Sequence, residues 1–415
     1  MCPDLLFERS RDDENAHRPT PCQPQWLSIL VGLRNFATPP FDSQGPTMKT
    51  LEYTVGFDSP AFLGNAQQVG QWRTPPFKAL LREWWRIVTA SKVEYDHEKL
   101  LVAEKVLFGA AGEDGQNYGR SQVQLRLSNW EQGKLRTLPN MRTHEHPEVH
   151  RWQTAQLRPV DTAVYLGFGP VTNQRSSRVA IWPDTRAVLR LQVPEEHAPD
   201  IKKAMQLASW FGAMGSRSRN GWGGLRIEAD GMLDFSQMDD SELSKHASCA
   251  PLADCLRRDW PHAVGQSQDG RLAVWRVQSP QGGGFGGWSN VLEEIAAIKI
   301  KLRTHFKFEG GQPHQYVQER HVFGYPVTRH SLQGLQKGRL ASQLRFRVVR
   351  QSGQGADRFL GAIVHLPCAM PEAFFGRSGV QLPNRQAQEG VWLDVHQMLD
   401  QMFPASVVRS KSAAA

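Results

Sequence analysis

Cysteine is scarce in this chain of 415 residues. The five cysteines are Cys2, Cys22, Cys249, Cys255 and Cys368. An odd number of scattered thiols does not form the framework of a disulfide-stapled secreted domain, and it favours reduced thiols in a cytosolic protein. We therefore expect a cytoplasmic protein without disulfides.

Long apolar runs are also absent. None reaches the length that a helix needs to cross a bilayer. The longest candidate near the start, residues 26–36, is interrupted by polar residues and glycine. It follows a mixed-charge stretch at 8–14 that is unlike a signal peptide. The sequence predicts no contact with a membrane.

A strong charge of one sign is missing as well. Lysine and arginine number 49 and aspartate and glutamate 41, a net charge of +8. That surplus is modest and favours a polyanionic partner only weakly, so the placement of the cations matters more than their number. The length suits two domains better than one.

Regular patterns begin near Met48. Leu51, Tyr53, Val55 and Phe57 alternate with polar or small residues, which predicts a strand with one buried face. Residues 1–47 have no sustained period, and we expect an extension there, with Met48 as a candidate natural start.

The first half has the order of a split βαβ unit. The patterns predict, in chain order, a strand over 51–57, helices over 74–90 and 98–108, strands over 123–127 and 187–191, a helix over 201–211 and a strand over 225–227. Residues 128–184 lack a regular period and are interpreted as an insertion. Without the helix at 98–108, this is the ferredoxin-like (RRM-like) order, here over 48–231.

The second half repeats this order less completely. The patterns predict a strand at 272–275, a helix over 291–302, strands over 344–348 and 359–366 joined by a turn at 352–355, and a final helix over 392–403. No last strand is evident. We expect an α+β protein with two tandem ferredoxin-like domains, the second over 266–415 after a helical link at 232–265.

A basic row follows the first predicted helix. Lys78, Arg82 and Arg86 recur at four-residue spacing and therefore lie on one face, and Arg73 extends the row upstream. Three aligned cations suit a phosphate backbone. A solvated basic face remains the alternative.

A glycine-rich segment over 212–224 is the second candidate. Its glycines permit close backbone approach, and its amides, hydroxyls and arginines are donors for phosphate oxygens. The candidate RNA-binding residues here are Gly215, Ser216, Arg217, Ser218, Arg219, Asn220 and Gly221. The segment matches neither a triphosphate loop nor a dinucleotide fingerprint, so no nucleotide cofactor is expected. A flexible connector is the alternative, and Trp210 and Trp222 either stack on bases or pack in the core.

Histidines, cysteines and carboxylates give no standard metal or catalytic pattern. The candidates are His144, His146, His150, His246, Cys249, Cys255, His262, Asp161 and Asp184. Their spacings fit no usual zinc site, and none forms a recognisable acid–base pair. No metal, cofactor or catalytic residue is therefore assigned.

Several blocks together resemble the RAMP superfamily of CRISPR proteins. Residues 60–65 followed by 72–86 are similar to its N-terminal signature, and 214–225 to its glycine-rich loop. Further blocks lie at 107–109 with 119–121, at 165–169, and at 323–326 with 338–342. The resemblance is closest to the large two-domain RAMP subunit of the type III-B (Cmr) complex, although Gln343 stands where that family usually has proline.

That resemblance implies a fold and a role. It implies tandem ferredoxin-like domains at the 3′ end of a guide RNA, capping a filament of other RAMP subunits and engaging target RNA in antiviral defence. The resemblance also implies which residues contact RNA, namely Arg73, Lys78, Arg82, Arg86, Arg217 and Arg219. An endoribonuclease of the same superfamily and a protein-only adaptor remain alternatives.

Overall fold

Antiparallel sheets and helices make up the mixed α+β structure, a computed structural model. It describes residues 46–110, 119–151, 154–172, 177–280, 284–335, 338–351, 353, 356–376 and 379–404. The predicted extension at 1–47 lies outside these residues apart from 46 and 47, as does the predicted turn at 352–355 apart from 353. From Pro46 onward the described residues form one compact unit.

The strands and helices are numbered in chain order. The strands are β1 (Met48–Phe57), β2 (Gln124–Leu127), β3 (Thr143–His144), β4 (Val160–Asp161), β5 (Arg186–Pro194), β6 (Leu225–Glu228), β7 (Cys249–Pro251), β8 (Val264–Gln266), β9 (Val274–Val277), β10 (Leu344–Gln351) and β11 (Arg358–His365). The helices are α1 (Thr74–Thr89), α2 (His97–Phe108), α3 (Thr162–Gly167), α4 (Ala198–Phe211), α5 (Asp240–His246), α6 (Leu252–Cys255), α7 (Trp288–His305), α8 (Glu319–Val322), α9 (Glu372–Phe375) and α10 (Arg385–Met402). Single 3₁₀ turns lie at Ala90–Val93 and Glu195–His197.

The first sheet has the strand order β2-β5-β1-β6, with every pair antiparallel. The alternation in β1 sets its register, because Leu51, Tyr53 and Val55 are buried and lie opposite Leu191, Leu189 and Ala187 of β5. β1 and β2, joined through α1 and α2, flank β5, while β5 and β6, joined through α4, flank β1. This is the connectivity of a split βαβ unit.

The second sheet has the order β10-β11-β9, again antiparallel. α7 connects β9 to β10, and α10 follows β11. The plan is that of the first half without a fourth strand in the part of the chain that the structure describes. The sequence pattern of the second half likewise repeats the order of the first half and lacks its last strand.

The two halves share a buried polar joint. Arg347 of β10, 2% exposed, donates hydrogen bonds to the carbonyl oxygens of Ser209 and Leu225 in the first half. Asp58 lies 3.7 Å from the same guanidinium and 3.0 Å from that of Arg226. Because breaking one partner of a buried ion pair is costly, this joint holds the two sheets in a fixed relation.

The insertion and the link contain more structure than their patterns predicted. The insertion at 128–184 contains β3, β4 and α3, and α3 packs on α7. The predicted helical link at 232–265 contains two short helices, but also the parallel pair β7 and β8. Among the described helices, none combines the length and the apolar character that a membrane span requires.

Candidate nucleic-acid interface

The basic row on α1 is tied into the protein itself. Lys78 donates hydrogen bonds to the carbonyl oxygen of Phe108 at 3.0 Å and to Oγ of Ser121 at 2.8 Å. Burial, and then the charge of Arg82, lower the pKa of the Lys78 ammonium. Lys78 therefore anchors α1 to the segment that follows α2.

Arg82 and Arg86 share one buried carboxylate. Both donate hydrogen bonds to Glu104 of α2, whose side chain is 2% exposed. Burial alone would raise the pKa of Glu104, but the hydrogen bonds from Arg86 and Arg82 outweigh it and lower that pKa. The arginines keep 37% and 43% of their side-chain surface exposed. Part of each remains accessible, with its charge partly neutralised.

Arg73 has an equally local partner. It stands at the N-terminus of α1 and donates a hydrogen bond to the carbonyl oxygen of Gly64. The four cations predicted along this helix thus all bond to groups of the chain, and three of them connect α1 to α2 or to the segment behind it.

The glycine-rich segment is a hydrogen-bonded turn. Gly215 and Gly221 have φ of 96° and 92°, a left-handed conformation that other residues adopt only with strain. The Ser216 amide donates to the carbonyl oxygen of Phe62 at 3.1 Å, and that of Ser218 to Gly215 at 3.4 Å. The flexible-connector alternative therefore does not describe this segment.

The polar side chains of the turn lie in different surroundings. Arg217 is exposed, and its Nε donates to the carbonyl oxygen of Phe168 at 2.7 Å. Arg219 is half-buried and donates to the carbonyl oxygen of Ser342 at 2.6 Å, while burial and then Arg345 lower its pKa to about 10. Asn220 donates to the carbonyl oxygen of Leu166 and accepts from Lys299. Arg217 is thus the most available cation of the turn.

Trp210 and Trp222 belong to the core. They are 1% and 0% exposed, and Trp222 lies 5.2 Å from Phe62 and 6.0 Å from Trp288 between ring centroids. The packing alternative for both residues is correct, and neither is available for stacking on a base.

The predicted residues fall into two places. Lys78 and Arg82 line a cavity of about 410 Å³ together with apolar residues of the β2 region. Arg217 and Asn220 line another, of about 450 Å³. Glu83 of α1 interacts with Arg219 of the turn and with Arg86 of the row. Burial works to raise the pKa of Glu83, but Arg345 first and then Arg219 and Arg86 lower it. The structure brings Arg217 and Asn220 together and places the α1 row apart from them.

A larger basic surface adjoins Arg217. A cavity of about 910 Å³ shares Tyr165, Arg303 and Thr328 with the 450 Å³ cavity, and we call the two together the basic groove. The cations that line the groove are Arg151, Arg158, Arg217, Lys299, Arg303, Lys307, Arg320, Arg329 and Arg339. Among its described lining residues the sole carboxylate is Glu148, which is paired with Arg320.

Four parts of the chain build the basic groove. Lys299 and Arg303 lie one turn apart on α7, and Lys307 continues the four-residue spacing just beyond its end. The insertion contributes Arg151 and Arg158, and the remaining cations come from the turn at 212–224 and from 319–340. The row at 299, 303 and 307 has the same spacing as the α1 row, and that signal could have found it.

Burial and, after it, mutual repulsion lower the pKa of cations in the groove. Burial, followed by Arg303 and Arg217, lowers the pKa of Lys299 to about 7. Burial is also the main cause of the lowered pKa of Arg303, with Arg320 adding to it. Cations that lower one another's pKa, with Glu148 as the one carboxylate among the described lining residues, favour an anionic ligand, because its charge relieves the repulsion.

The residues weighed for metal binding or catalysis have other contacts. The described residues include no group of three histidine, cysteine, aspartate or glutamate side chains that could hold a metal ion. Asp161 caps α3 by accepting from the Val164 amide at 3.1 Å, and Asp184 pairs with Arg136 at 2.7 Å. Burial raises the pKa of the Cys255 thiol to about 12, so that this thiol is inert.

The remaining histidines and cysteine of that set lie apart. His144 is on β3, where burial lowers its pKa, and His262 contacts the rings of Tyr95 and Trp260. His246 contacts Trp210, and Cys249 is a free thiol on β7. His146 and His150 line the basic groove.

Comparison with known proteins gives structural likenesses alone. No family model and no curated protein matches the chain. Cmr1 from Pyrococcus furiosus in its apo form is 15% identical, with a TM-score of 0.39 over 79% of this chain and 90% of Cmr1. A chain of a type III-B Cmr-beta complex bound to cognate target RNA and AMPPnP, in the presence of ssDNA, is 11% identical, with a TM-score of 0.42 over 86% of this chain and all of that one.

A second Cmr-beta structure bound to cognate target RNA contains a chain that is 12% identical, with a TM-score of 0.39 over 84% of this chain and 99% of that one. The proteins so matched are of the kind that the sequence motifs resemble. At TM-scores below 0.5, these likenesses carry no conclusion about what the chain binds.

Proposed function

We propose that the chain is an RNA-binding, non-catalytic subunit of a type III CRISPR effector complex, with the basic groove as its main RNA-binding surface. The observation that carries this proposal is the charge of the groove. Nine lysines and arginines line it against one carboxylate among the described lining residues, although the whole chain has a surplus of only eight cations. Such a concentration of charge suits a polyanion.

The chemistry of the groove favours the sugar–phosphate backbone of RNA. Exposed lysines and arginines from four parts of the chain can neutralise phosphates and release their counterions. Arg217 lines the smaller cavity of the groove, so that the glycine-rich turn adds an exposed guanidinium to it. Backbone contacts of this type bind with little dependence on base sequence.

The resemblance of the motifs to RAMP proteins supplies the biological setting. By this proposal the chain consists of two tandem ferredoxin-like domains, 48–231 and 266–415, joined by 232–265. It holds the 3′ end of a guide RNA, contacts other RAMP subunits and engages target RNA in the cytoplasm. The split βαβ order of the first sheet supports the first domain, and the shorter second sheet supports an incomplete second one.

The α1 row has a secondary role in this proposal. Arg82 and Arg86 are accessible in part, so that RNA leaving the groove can contact them, but Glu104 already satisfies much of their charge. The groove cations other than Arg320 have no such carboxylate among the described lining residues. Affinity should therefore depend more on the groove than on Arg73, Lys78, Arg82 or Arg86.

A salt titration with charge-removing variants tests the proposal. The purified chain binds a fluorescent single-stranded RNA, and Kd is measured by anisotropy from 50 to 300 mM salt. We expect a steep rise in Kd, with the slope in log–log form reduced by about 1.4 in the double variant Lys307→Gln, Arg329→Gln, because each lost phosphate contact removes about 0.7.

A matched control removes the same charge elsewhere. Lys202 and Lys203 are exposed on α4 and line a different cavity, of about 820 Å³, so the double variant Lys202→Gln, Lys203→Gln should keep the slope of the unaltered chain. Equal effects of the two double variants on the salt slope, or RNA binding that salt does not weaken, would refute the groove as the main RNA-binding surface.

The same preparations separate the alternatives. Specific cleavage of RNA by the purified chain would favour the endoribonuclease. Salt-independent association with other subunits, in the absence of RNA binding, would favour the protein-only adaptor.

A further inference from the structure

A fixed glutamine begins a chain of hydrogen bonds that ends in the basic groove. Oε1 of Gln318 accepts from the Glu309 amide at 2.8 Å, and its Nε2 donates to the Glu309 carbonyl oxygen at 2.8 Å. Because both bonds are to the backbone of one residue, the amide cannot be flipped without losing both. The second hydrogen on Nε2 faces Nδ1 of His314, 3.0 Å away.

That contact decides the tautomer of His314. Since Nδ1 accepts a hydrogen bond, neutral His314 has its proton on Nε2. Nε2 lies 3.0 Å from Nδ1 of His330, to which it donates. His330 in turn accepts at Nδ1, and its own proton is on Nε2.

Neighbouring groups hold the His330 ring in this position. Phe308 stacks on it, with 3.8 Å between ring centroids and 11° between ring planes. Nε2 of His321 donates to the His330 carbonyl oxygen at 3.0 Å, while Nδ1 of His321 accepts from the Gln318 amide at 3.1 Å. Burial is the first cause of the lowered pKa of His314, His321 and His330, so that all three stay neutral near pH 7.

A second groove histidine has the same tautomer for a different reason. Nδ1 of His146 accepts from the Glu148 amide at 3.2 Å, which leaves the proton on Nε2. His150 differs, because its Nδ1 faces the carbonyl oxygen of Ala155 at 3.2 Å and therefore donates. A histidine general base needs a bare ring nitrogen that is free to accept a proton. In His150 that nitrogen is Nε2, whereas the bare Nδ1 of His330 and that of His146 each already accept a hydrogen bond.

We propose that His330 is an uncharged hydrogen-bond donor of the basic groove, held in that state by the Gln318–His314 relay, and that it binds an acceptor oxygen or nitrogen of RNA without serving as an acid or base. This inference rests on the proposed role of the groove as the RNA-binding surface. It adds that His330, a neutral residue of the groove, donates a hydrogen bond to the RNA. His146 has the same donor tautomer, so neither residue supplies the general base of a nuclease.

The relay is tested without RNA. Long-range ¹⁵N–¹H correlation spectra of the chain labelled at histidine nitrogens report which ring nitrogen has the proton, and His330→Gln assigns the signal. We expect His330 with a bare Nδ1 and a protonated Nε2 at pH 7. A protonated Nδ1 would overturn the proposal.

Gln318→Glu checks the direction of the relay. A carboxylate at that position can only accept, so His314 should turn its proton to Nδ1, and His330 should then donate from Nδ1 to Nε2 of His314. The spectrum of His330 should change to the opposite tautomer. An unchanged His330 spectrum while His314 stays neutral would mean that Gln318 does not set the tautomer of His330.

RNA binding tests the role. His330→Phe keeps a ring for stacking on Phe308 but removes the donor, and we expect Kd for single-stranded RNA to rise about three- to tenfold, the effect of one hydrogen bond. The salt slope should stay unchanged, since no charge is lost. His330→Gln, which retains a donor, should recover at least part of the affinity.

The outcomes distinguish this inference from the proposed function. If His330→Phe leaves Kd unchanged while Lys307→Gln, Arg329→Gln lowers the salt slope, the groove stands and the donor role of His330 is wrong. RNA cleavage that His330→Gln abolishes would overturn the donor role too. If neither variant alters binding, the groove itself fails, whatever the tautomer.

Discussion

Arg86 and Lys299 both stand in basic rows of four-residue spacing, yet their surroundings differ. Arg86 bonds to the buried carboxylate of Glu104, and this bond, with Glu83 adding to it, raises the pKa of the Arg86 guanidinium although burial works to lower it. Lys299 has cations beside it and a pKa lowered to about 7. Spacing along a helix identifies a row, but the facing element decides whether that row is satisfied internally or left for a ligand.

Lys299 should make RNA binding depend on pH. Below about pH 7 it is charged in the free protein, and above that pH it is neutral and must gain a proton to contact a phosphate. We therefore expect Kd to rise with pH above 7, by at most about tenfold per unit. Fluorescence anisotropy from pH 6 to 8.5 measures this dependence, and in Lys299→Gln the rise of Kd above pH 7 should be absent or smaller. Identical profiles would contradict the role of Lys299.

Glu104 should prove structural. Glu104→Gln removes the charge that holds Arg82 and Arg86, and we expect the free energy of unfolding to fall by about 1–3 kcal/mol at pH 7. Because the folded pKa of Glu104 is lowered, its contribution exists above the unfolded value near 4.3 and is lost as pH falls through the folded one.

Denaturant unfolding at pH 7 and pH 3 checks this. The two chains should differ at pH 7 and approach each other at pH 3, with the salt slope of RNA binding little changed. A gap in stability that is as large at pH 3 as at pH 7 would contradict the role of Glu104.

Among the elements, the turn at 212–224 leaves no room for a side chain at Gly223. Gly223 has φ of 65°, and a Cβ there would lie 2.1 Å from the carbonyl oxygen of Met214. A backbone atom so close cannot move without disturbing the pairing of Ala213 with Gly224. The turn is thereby fixed between the first sheet and α7.

Gly223→Ala should destabilise the protein far more than a matched glycine. Gly231 also has a positive φ, 76°, but a Cβ there would meet nothing within 4 Å. We expect Gly231→Ala to cost about 1–2 kcal/mol from conformational strain alone and Gly223→Ala about 3 kcal/mol or more. Thermal and denaturant unfolding compare them, and equal losses would refute the close packing of this turn.

Elements with a clear period were predictable from the sequence. Leu51, Tyr53 and Val55 indicated β1 because one face of that strand is buried. The apolar residues that recur at helical spacing indicated α1 in the same way. The short strands β3, β4, β7 and β8 have two or three residues each, too few to show a period. Tertiary contacts define these short strands, so a local sequence pattern could not predict them.

At the scale of the whole molecule, the basic groove could not have been predicted as one surface. Its cations are separated by up to 188 positions, from Arg151 to Arg339, and only the fold brings the insertion, α7 and the segment after α8 together. The sequence did indicate Arg217 and Asn220, since the composition of their turn is unusual. The basic row at 299, 303 and 307 could have been recognised by its four-residue spacing. The apolar stripe of the same helix predicts a core helix, and the basic row was not identified.

Photochemical crosslinking of bound RNA to the whole chain, with mass-spectrometric mapping of the linked residues, tests the central claim most directly. The groove predicts crosslinks in three separated segments, 146–158, 299–307 and 320–339, which lose intensity together as salt is raised. Crosslinks confined to the α1 row at 73–86, or to the lysines at 202 and 203, would contradict it.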